Sequence, residues 1–262
     1  MMQASDRETM ARNAPPKVTL ITGGGRGIGA ACALLAAQRG HAVAVSYRDN
    51  KGAAGGVVRA IEQSGGRAIA IRADVASESD VLEMFAAVDG ELGRVTALVN
   101  NAGIVAPARR VDQYDLDRLQ RMFATNVIGS FLCAREAVRR MSTRYGGGGG
   151  AIVNVSSAAS RLGSPNEYVD YAASKGAVDT MTIGLAKEVA AEGIRVNAIR
   201  PGLIYTDIHA SGGESGRVER LKDMVPMRRG GTPAEVANAV LWLMSDEASY
   251  LTGALVDVSG GR

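Results

Sequence analysis

Short runs rich in valine, isoleucine and alanine alternate with stretches of helical periodicity along almost the whole chain. No other feature constrains the fold as tightly. Candidate strands fall at residues 17–22 (KVTLIT), 42–47 (AVAVSY), 67–73, 95–100 (VTALVN), 151–155 (AIVNV), 194–199 (IRVNAI) and 255–258. The periodicity between them predicts one helix from Gly27 to a stop at Gly40, then helices at 53–64, 78–92, 115–144, 168–191 and 233–244. Thr232 is the expected N-cap of the last, with Pro233 in the first turn and Glu235 at the third position. A strand, a helix and a second strand close as a right-handed crossover, which makes the sheet parallel and covers both its faces. The expectation is an α/β chain with a doubly wound parallel sheet of about seven strands flanked by helices.

Bulk properties narrow the function. A length of 262 residues fits one α/β domain, and 46% hydrophobic residues suffice for a core. Aromatics make up 4%, too few for a surface that stacks nucleic-acid bases, and the net charge of +3 is spread over scattered arginines. Arg139-Arg140, the densest doublet on a helix, reads as a solvated face. Cys32 and Cys133 both lie in apolar helical pattern and read as buried free thiols. The two histidines, His41 and His209, offer neither a zinc site nor a Ser-His triad, so no metal is expected. No apolar run reaches the ~18 residues of a membrane span. Residues 1–16 are polar, end in Pro15-Pro16 and read as a flexible leader rather than a signal peptide. Residues 17–262 then form the single domain, and the cytoplasm is the expected compartment.

The first strand runs into Thr22-Gly23-Gly24-Gly25-Arg26-Gly27-Ile28-Gly29. Glycines permit a tight turn and let the backbone approach a pyrophosphate. The helix starting near Gly27 turns free N–H groups and a positive dipole end toward that anion. A lone glycine pattern is weak, but this one joins the first strand and first helix of a βαβ unit, the context a Rossmann dinucleotide site requires. NAD sites usually carry an acid at the end of the second strand; here stand Ser46-Tyr47-Arg48, with Asp49 beyond. Arg48 and Arg26 can together hold a 2′-phosphate bidentately, which points to NADP(H) rather than NAD(H).

Tyr171 and Lys175 lie four apart on a predicted helix and share a face. An ammonium beside a phenol lowers the phenol pKa, making Tyr171 a candidate general acid or base. Ser156-Ser157 ends the fifth strand, where open α/β sheets bind their ligands. Alone, each of these features is ordinary: a surface pair and a turn serine.

In combination they are specific, and over residues 17–262 the chain resembles the short-chain dehydrogenase/reductase family. The matching segments are TGGGRGIG at 22–29, Asp74-Val75, Asn100-Asn101-Ala102-Gly103, Asn126, Ser157, Tyr171 with Lys175, and Pro201-Gly202. The resemblance implies that Gly23, Gly27 and Gly29 shape the pyrophosphate turn and that Asp74 and Val75 frame the adenine. It places Asn100, Asn101, Ala102 and Gly103 along the cofactor, and Pro201, Gly202, Ile204 and Thr206 beside the nicotinamide. Ser157 would polarise a carbonyl and Tyr171 would transfer the proton. Lys175 would hold the ribose and depress the Tyr171 pKa, and Asn126 would support a relay water. A homotetramer built on helices 115–144 and 168–191 and the C-terminal strand is also implied.

Two departures stand out. The gap from Ser157 to Tyr171 is one residue longer than usual, which locates an insertion in 163–170 and leaves Ser156 and Tyr168 as rivals to Ser157 and Tyr171. Residue 46 is a serine. The expected function is hydride transfer between NADP(H) and a carbonyl or secondary alcohol; the rival is a non-catalytic NADP(H)-binding sensor or scaffold. Segment 202–231, with Tyr205, His209, Glu214, Arg217, Arg220 and Arg228, reads as a substrate loop. Ketones, sugars and 3-oxoacyl thioesters remain open as substrates, the exposed Arg109 and Arg110 being compatible with an acidic carrier.

Overall fold

The computed structural model describes residues 17–262; the leader expected at 1–16 lies outside them. The chain runs β1 (Val18–Ile21), α1 (Gly27–Gln38), β2 (Ala42–Tyr47), α2 (Lys51–Gln63), β3 (Ala68–Arg72), α3 (Glu78–Glu91) and β4 (Ala97–Asn100). It continues through α4 (Leu116–Phe123), α5 (Gly129–Met141), β5 (Gly150–Val155), α6 (Ala159–Leu162) and α7 (Val169–Val189). It closes with β6 (Ile194–Pro201), α8 (Ile208–Ser211), α9 (Arg217–Leu221), α10 (Pro233–Met244) and β7 (Leu255–Val258). The described strands form one seven-stranded parallel sheet in the order β3-β2-β1-β4-β5-β6-β7. After β3 the chain returns across the sheet, so the carboxyl ends of β1 and β4 part and open a crevice.

The strand runs are apolar at consecutive positions because both faces are covered. Leu20, Leu98, Ile152 and Val196 pack with Met84, Phe85, Cys133 and Met141 on one face. Ile21, Val43, Val99 and Val153 meet Cys32, Ala36, Val236 and Val240 on the other. Both cysteines are free and buried, and desolvation pushes their thiols up to about 12, which leaves them inert. Helix α10 starts on the expected capping box of Thr232 and Glu235. Among the described residues, no helix is long and apolar enough to cross a membrane.

One expectation needs correction. The single helix 115–144 is two helices joined by a π turn, Ala124–Ile128, and followed by a 3₁₀ turn, Thr143–Tyr145. The extra residue of the π turn buries Asn126 completely and aims it at the loop after β4. The glycines before β5 are tightly anchored: Gly147 N donates to Ser142 O and Gly149 N to Met141 O, both at 2.8 Å. A Cβ at Gly147 would sit 2.2 Å from Met141 O, so close backbone approach requires the glycine there. Helix α6 was not anticipated, since four residues give no periodic signal. Segment 202–231 does hold short helices, and an Ile204–Gly231 bridge closes its base.

Candidate active site

A cleft of about 510 Å³ opens at the carboxyl ends of β1, β2, β4, β5 and β6. At its floor the glycine turn is held by five hydrogen bonds. Gly23 N donates to Ser46 Oγ, Asn101 Nδ2 donates to the Thr22 and Gly23 carbonyls, and Thr22 Oγ1 accepts from the Asn101 and Ala102 amides. Thr22, the first residue of the TGGGRGIG segment, thereby ties the turn to the loop after β4. Gly29 lies under the turn, where a Cβ would come within 2.6 Å of Gly23 O. Arg26 enters α1 without supplying a side-chain cap, so the helix start faces the cleft. Such an N-terminus, flanked by glycines, fits an anionic pyrophosphate.

The far end of the cleft is lined by Ser46, Tyr47, Arg48, Asp49, Asp74 and Val75. Ser46 is buried and spends its hydroxyl on the turn. Arg48 Nε donates to Asp49 Oδ2 at 2.7 Å, and Arg26 reaches Ser211 Oγ at 3.5 Å, so both arginines stand at the wall with exposed charge. Asn100 departs from expectation: its Nδ2 donates to Ser130 O and Asn154 Oδ1, tying β4 to β5 away from the cleft. Asn101, Ala102 and Gly103 do line it, as do Ile28, Pro201, Gly202, Ile204 and Thr206.

Ser157, Tyr171 and Lys175 converge on the middle of the cleft. Ser157 and Tyr171 share the cleft wall, and the serine side chain favours the ionised phenol. Ser156 instead donates to Lys175 O at 3.2 Å and is buried, and the Tyr168 hydroxyl accepts from Arg217 at 2.6 Å. Both rivals are thus occupied elsewhere. Lys175 Nζ donates to Val155 O at 2.8 Å and lies 5.7 Å from the Tyr171 ring centroid. Asn126 holds the adjacent loop: its Oδ1 accepts from Ile104 N at 2.8 Å, and its Nδ2 donates to Ile104 O and Ser174 Oγ, both at 3.0 Å. With its amide so committed, Asn126 fixes Gly103 beside Lys175 rather than lining the cleft.

The expected depression of the Tyr171 pKa is corrected. Burial raises the phenol above the ordinary tyrosine value, opposed only by the nearby Ser157 side chain. Desolvation acts more visibly on Lys175, whose ammonium is lowered to about 8 against a partial offset from Asp179. Its folded pKa lies below the unfolded one, so the cost of burying its charge is full below about pH 8 and is relieved as pH rises toward the unfolded value. Lys175→Met is therefore expected to raise the thermal midpoint at pH 7, by on the order of 3 kcal/mol in stability. A lowered midpoint in a thermal melt would contradict this.

Two ion clusters were also missed. Arg118 grips Asp170 with Nε and Nη2 at 2.7 and 3.2 Å, donates to Pro107 O and stacks 4.3 Å over Tyr114. Tyr114 Oη in turn accepts from Val169 N, so the start of α7 is pinned from the side. Arg217 of α9 forms the second cluster with Glu167, Tyr168 and Glu214. Pairs of this kind join residues far apart in sequence, and nothing in composition announces them.

Residues 23–262 match the family model described as enoyl-(acyl carrier protein) reductase. An uncharacterized oxidoreductase of Escherichia coli K12, YgfF, is 58% identical, covering 94% of this chain and 99% of its own. A short-chain dehydrogenase/reductase structure from Serratia marcescens superposes with a TM-score of 0.86 at 32% identity, covering 95% of this chain and 99% of that one. The chain belongs to the short-chain dehydrogenase/reductase family. A 3-ketoacyl-(acyl-carrier-protein) reductase of Brucella melitensis, complexed with NADH, superposes with a TM-score of 0.87 at 34% identity over 94% of this chain and 98% of that one. In this dehydrogenase/reductase, loop 163–170 turns through left-handed backbone at Ser164 and Asn166 (φ 44° and 61°).

Proposed function

We propose that this oxidoreductase reduces the carbonyl group of a small molecule, or oxidises the corresponding secondary alcohol, with NADP(H). The observation that carries the reading is the convergence of Ser157, Tyr171 and the buried Lys175, one helical turn from Tyr171, in the cleft that the glycine turn also lines. When bound, the nicotinamide supplies or accepts the hydride. A substrate carbonyl oxygen seated at this pair accepts from Ser157 Oγ and from the Tyr171 hydroxyl. Because burial raises its pKa, Tyr171 holds its proton at neutral pH and is suited to donate it to the developing alkoxide in the reducing direction. With the cofactor bound, Lys175 would donate to the ribose hydroxyls, Asp74 and Val75 would border the adenine, and Pro201, Gly202, Ile204 and Thr206 would border the carboxamide. Its ammonium is lost through about pH 8, so the reductive rate should fall as pH rises through that value. A rate that climbs steadily to pH 10 would sink this role for Lys175.

The preference for NADP(H) rests on Arg26 and Arg48 at the wall where a 2′-phosphate would lie, and on the lack of a carboxylate at position 46. Arg48→Ala should weaken NADPH binding by about tenfold, the scale of one charge-assisted hydrogen bond, and leave NADH binding almost unchanged. Titration of fluorescence with each nucleotide tests this; equal losses for both would argue for NAD(H). Ketones, sugars and 3-oxoacyl thioesters are the substrate panel, followed at 340 nm. A homotetramer is part of this reading, supported by the exposed Phe131 and Ile183 on the neighbouring helices α5 and α7. Light scattering should return four chains.

A further inference from the structure

Arg217 is only 7% exposed, yet it comes from a short helix in the substrate segment. Its guanidinium reaches across to the loop that precedes α7. Nη1 and Nη2 meet the two Glu167 carboxylate oxygens at 3.0 and 2.6 Å, in the parallel fork geometry of a strong pair. Nη1 also donates to Tyr168 Oη at 2.6 Å and to Glu214 Oε2 at 3.0 Å, and the guanidinium carbon lies 4.9 Å from the Tyr168 ring centroid. Glu214 is held in turn by Arg220 Nε at 2.6 Å. The other side of the loop is fastened to the body, since Arg109 N donates to Glu167 O at 2.9 Å. Tyr168 is the N-cap of α7, three residues before Tyr171, and both Tyr168 and Arg217 line the cleft.

We propose that Arg217 is a positioning residue for the reaction. It latches segment 208–221 to Glu167 and Tyr168, so that one ion cluster sets the outer wall of the substrate subsite and its distance from Tyr171. This rests on the reductase reading for its kinetic consequence but not for its structural one. The guanidinium is spent on two carboxylates and a phenol, so its task is to place the wall and not to neutralise an anionic substrate. Each of α8 and α9 is too short to hold its own position, and the buried Leu203, Leu221 and Val225 are the small apolar cluster beneath them. The latch supplies the remaining constraint. Lysine can replace it only in part, because one ammonium cannot span both oxygens of Glu167 while also meeting Glu214.

The test is hydrogen exchange and steady-state kinetics on Arg217→Met, Arg217→Lys and Glu167→Gln. Arg217→Met should speed amide exchange in both 208–221 and 163–168 by at least about tenfold, the scale of losing one charge-assisted hydrogen bond. It should raise KM for the carbonyl substrate by a similar factor, with a smaller change in kcat and no change in NADPH affinity. Arg217→Lys should recover part of the effect, and Glu167→Gln should reproduce part of it should Arg217→Met fail to fold. Exchange unchanged in 163–168, or KM unchanged in a folded variant with faster exchange, overturns the proposal. Failure of every substrate in the panel bears on the reductase reading alone, because exchange reports the latch without turnover.

Discussion

Tyr171→Phe is expected to lower kcat/KM for carbonyl reduction by two to four orders of magnitude, roughly the contribution of a positioned general acid, while NADPH binding stays near its original strength. The substitution removes one hydroxyl from a half-buried ring and leaves the ring's packing in place. The partner left behind is Ser157, whose Oγ still accepts from Ala159 N at 3.1 Å, so the loop after β5 keeps its shape. The loss should therefore appear in the chemical step and not in folding. Single-turnover rates with pre-bound NADPH would separate the two. A variant that retains full activity would remove Tyr171 from the proton path. The obvious replacement, Tyr168, is held by Arg217 and caps the helix. Ser157→Ala, examined alongside, should depress the rate without altering nucleotide affinity.

The second large effect concerns stability. Arg118 and Asp170 have side chains 4% and 0% exposed, so their ion pair is buried and shielded from solvent. Removing one partner of such a pair leaves an uncompensated charge and typically costs about 3–5 kcal/mol. Arg118→Met should accordingly lower the thermal midpoint by on the order of 10 °C in a chain of this size. Arg118→Met combined with Asp170→Leu should recover more than half of that loss, because it takes both charges out of the interior together. A single variant that melts within about 2 °C of the parent would mean that water reaches Asp170, contrary to the packing. The pair also matters to the site. Asp170 adjoins Tyr171, and the Arg118 guanidinium further binds Pro107 O in the loop that follows Gly103. One side chain thus ties the start of α7 to the loop over the cleft floor, which gives the double variant a further readout: recovered stability with reduced turnover.

Much of this architecture could be read along the chain. Strand and helix order, the parallel sheet and the glycine turn follow from local chemistry. Apolar runs of four to six residues fit strands covered on both faces, and helical spacing follows from which residues must face the sheet. The Tyr171/Lys175 pair was legible because four residues on a helix return to one face, whatever surrounds it. Cys32 and Cys133 were placed inside by the same logic.

The remainder depended on groups brought together from distant parts of the chain. The π turn at Asn126 was invisible because the periodicity of 115–144 differs by a single residue from that of a continuous helix, and only the partners at Ile104 and Ser174 show why the extra residue is there. Asn100, grouped with its neighbours by motif, turned out to bind Asn154 across the sheet. The sign of the Tyr171 pKa shift also lay beyond spacing, since it depends on how much water the cleft wall excludes and on an ammonium that points at Val155 O. Local sequence by itself determined which elements form and in what order, because backbone propensity and apolar period act over a few residues. Tertiary structure alone decided which charges are buried, which polar groups are already spent and which remain for chemistry, because burial and electrostatic pairing are properties of the packed whole.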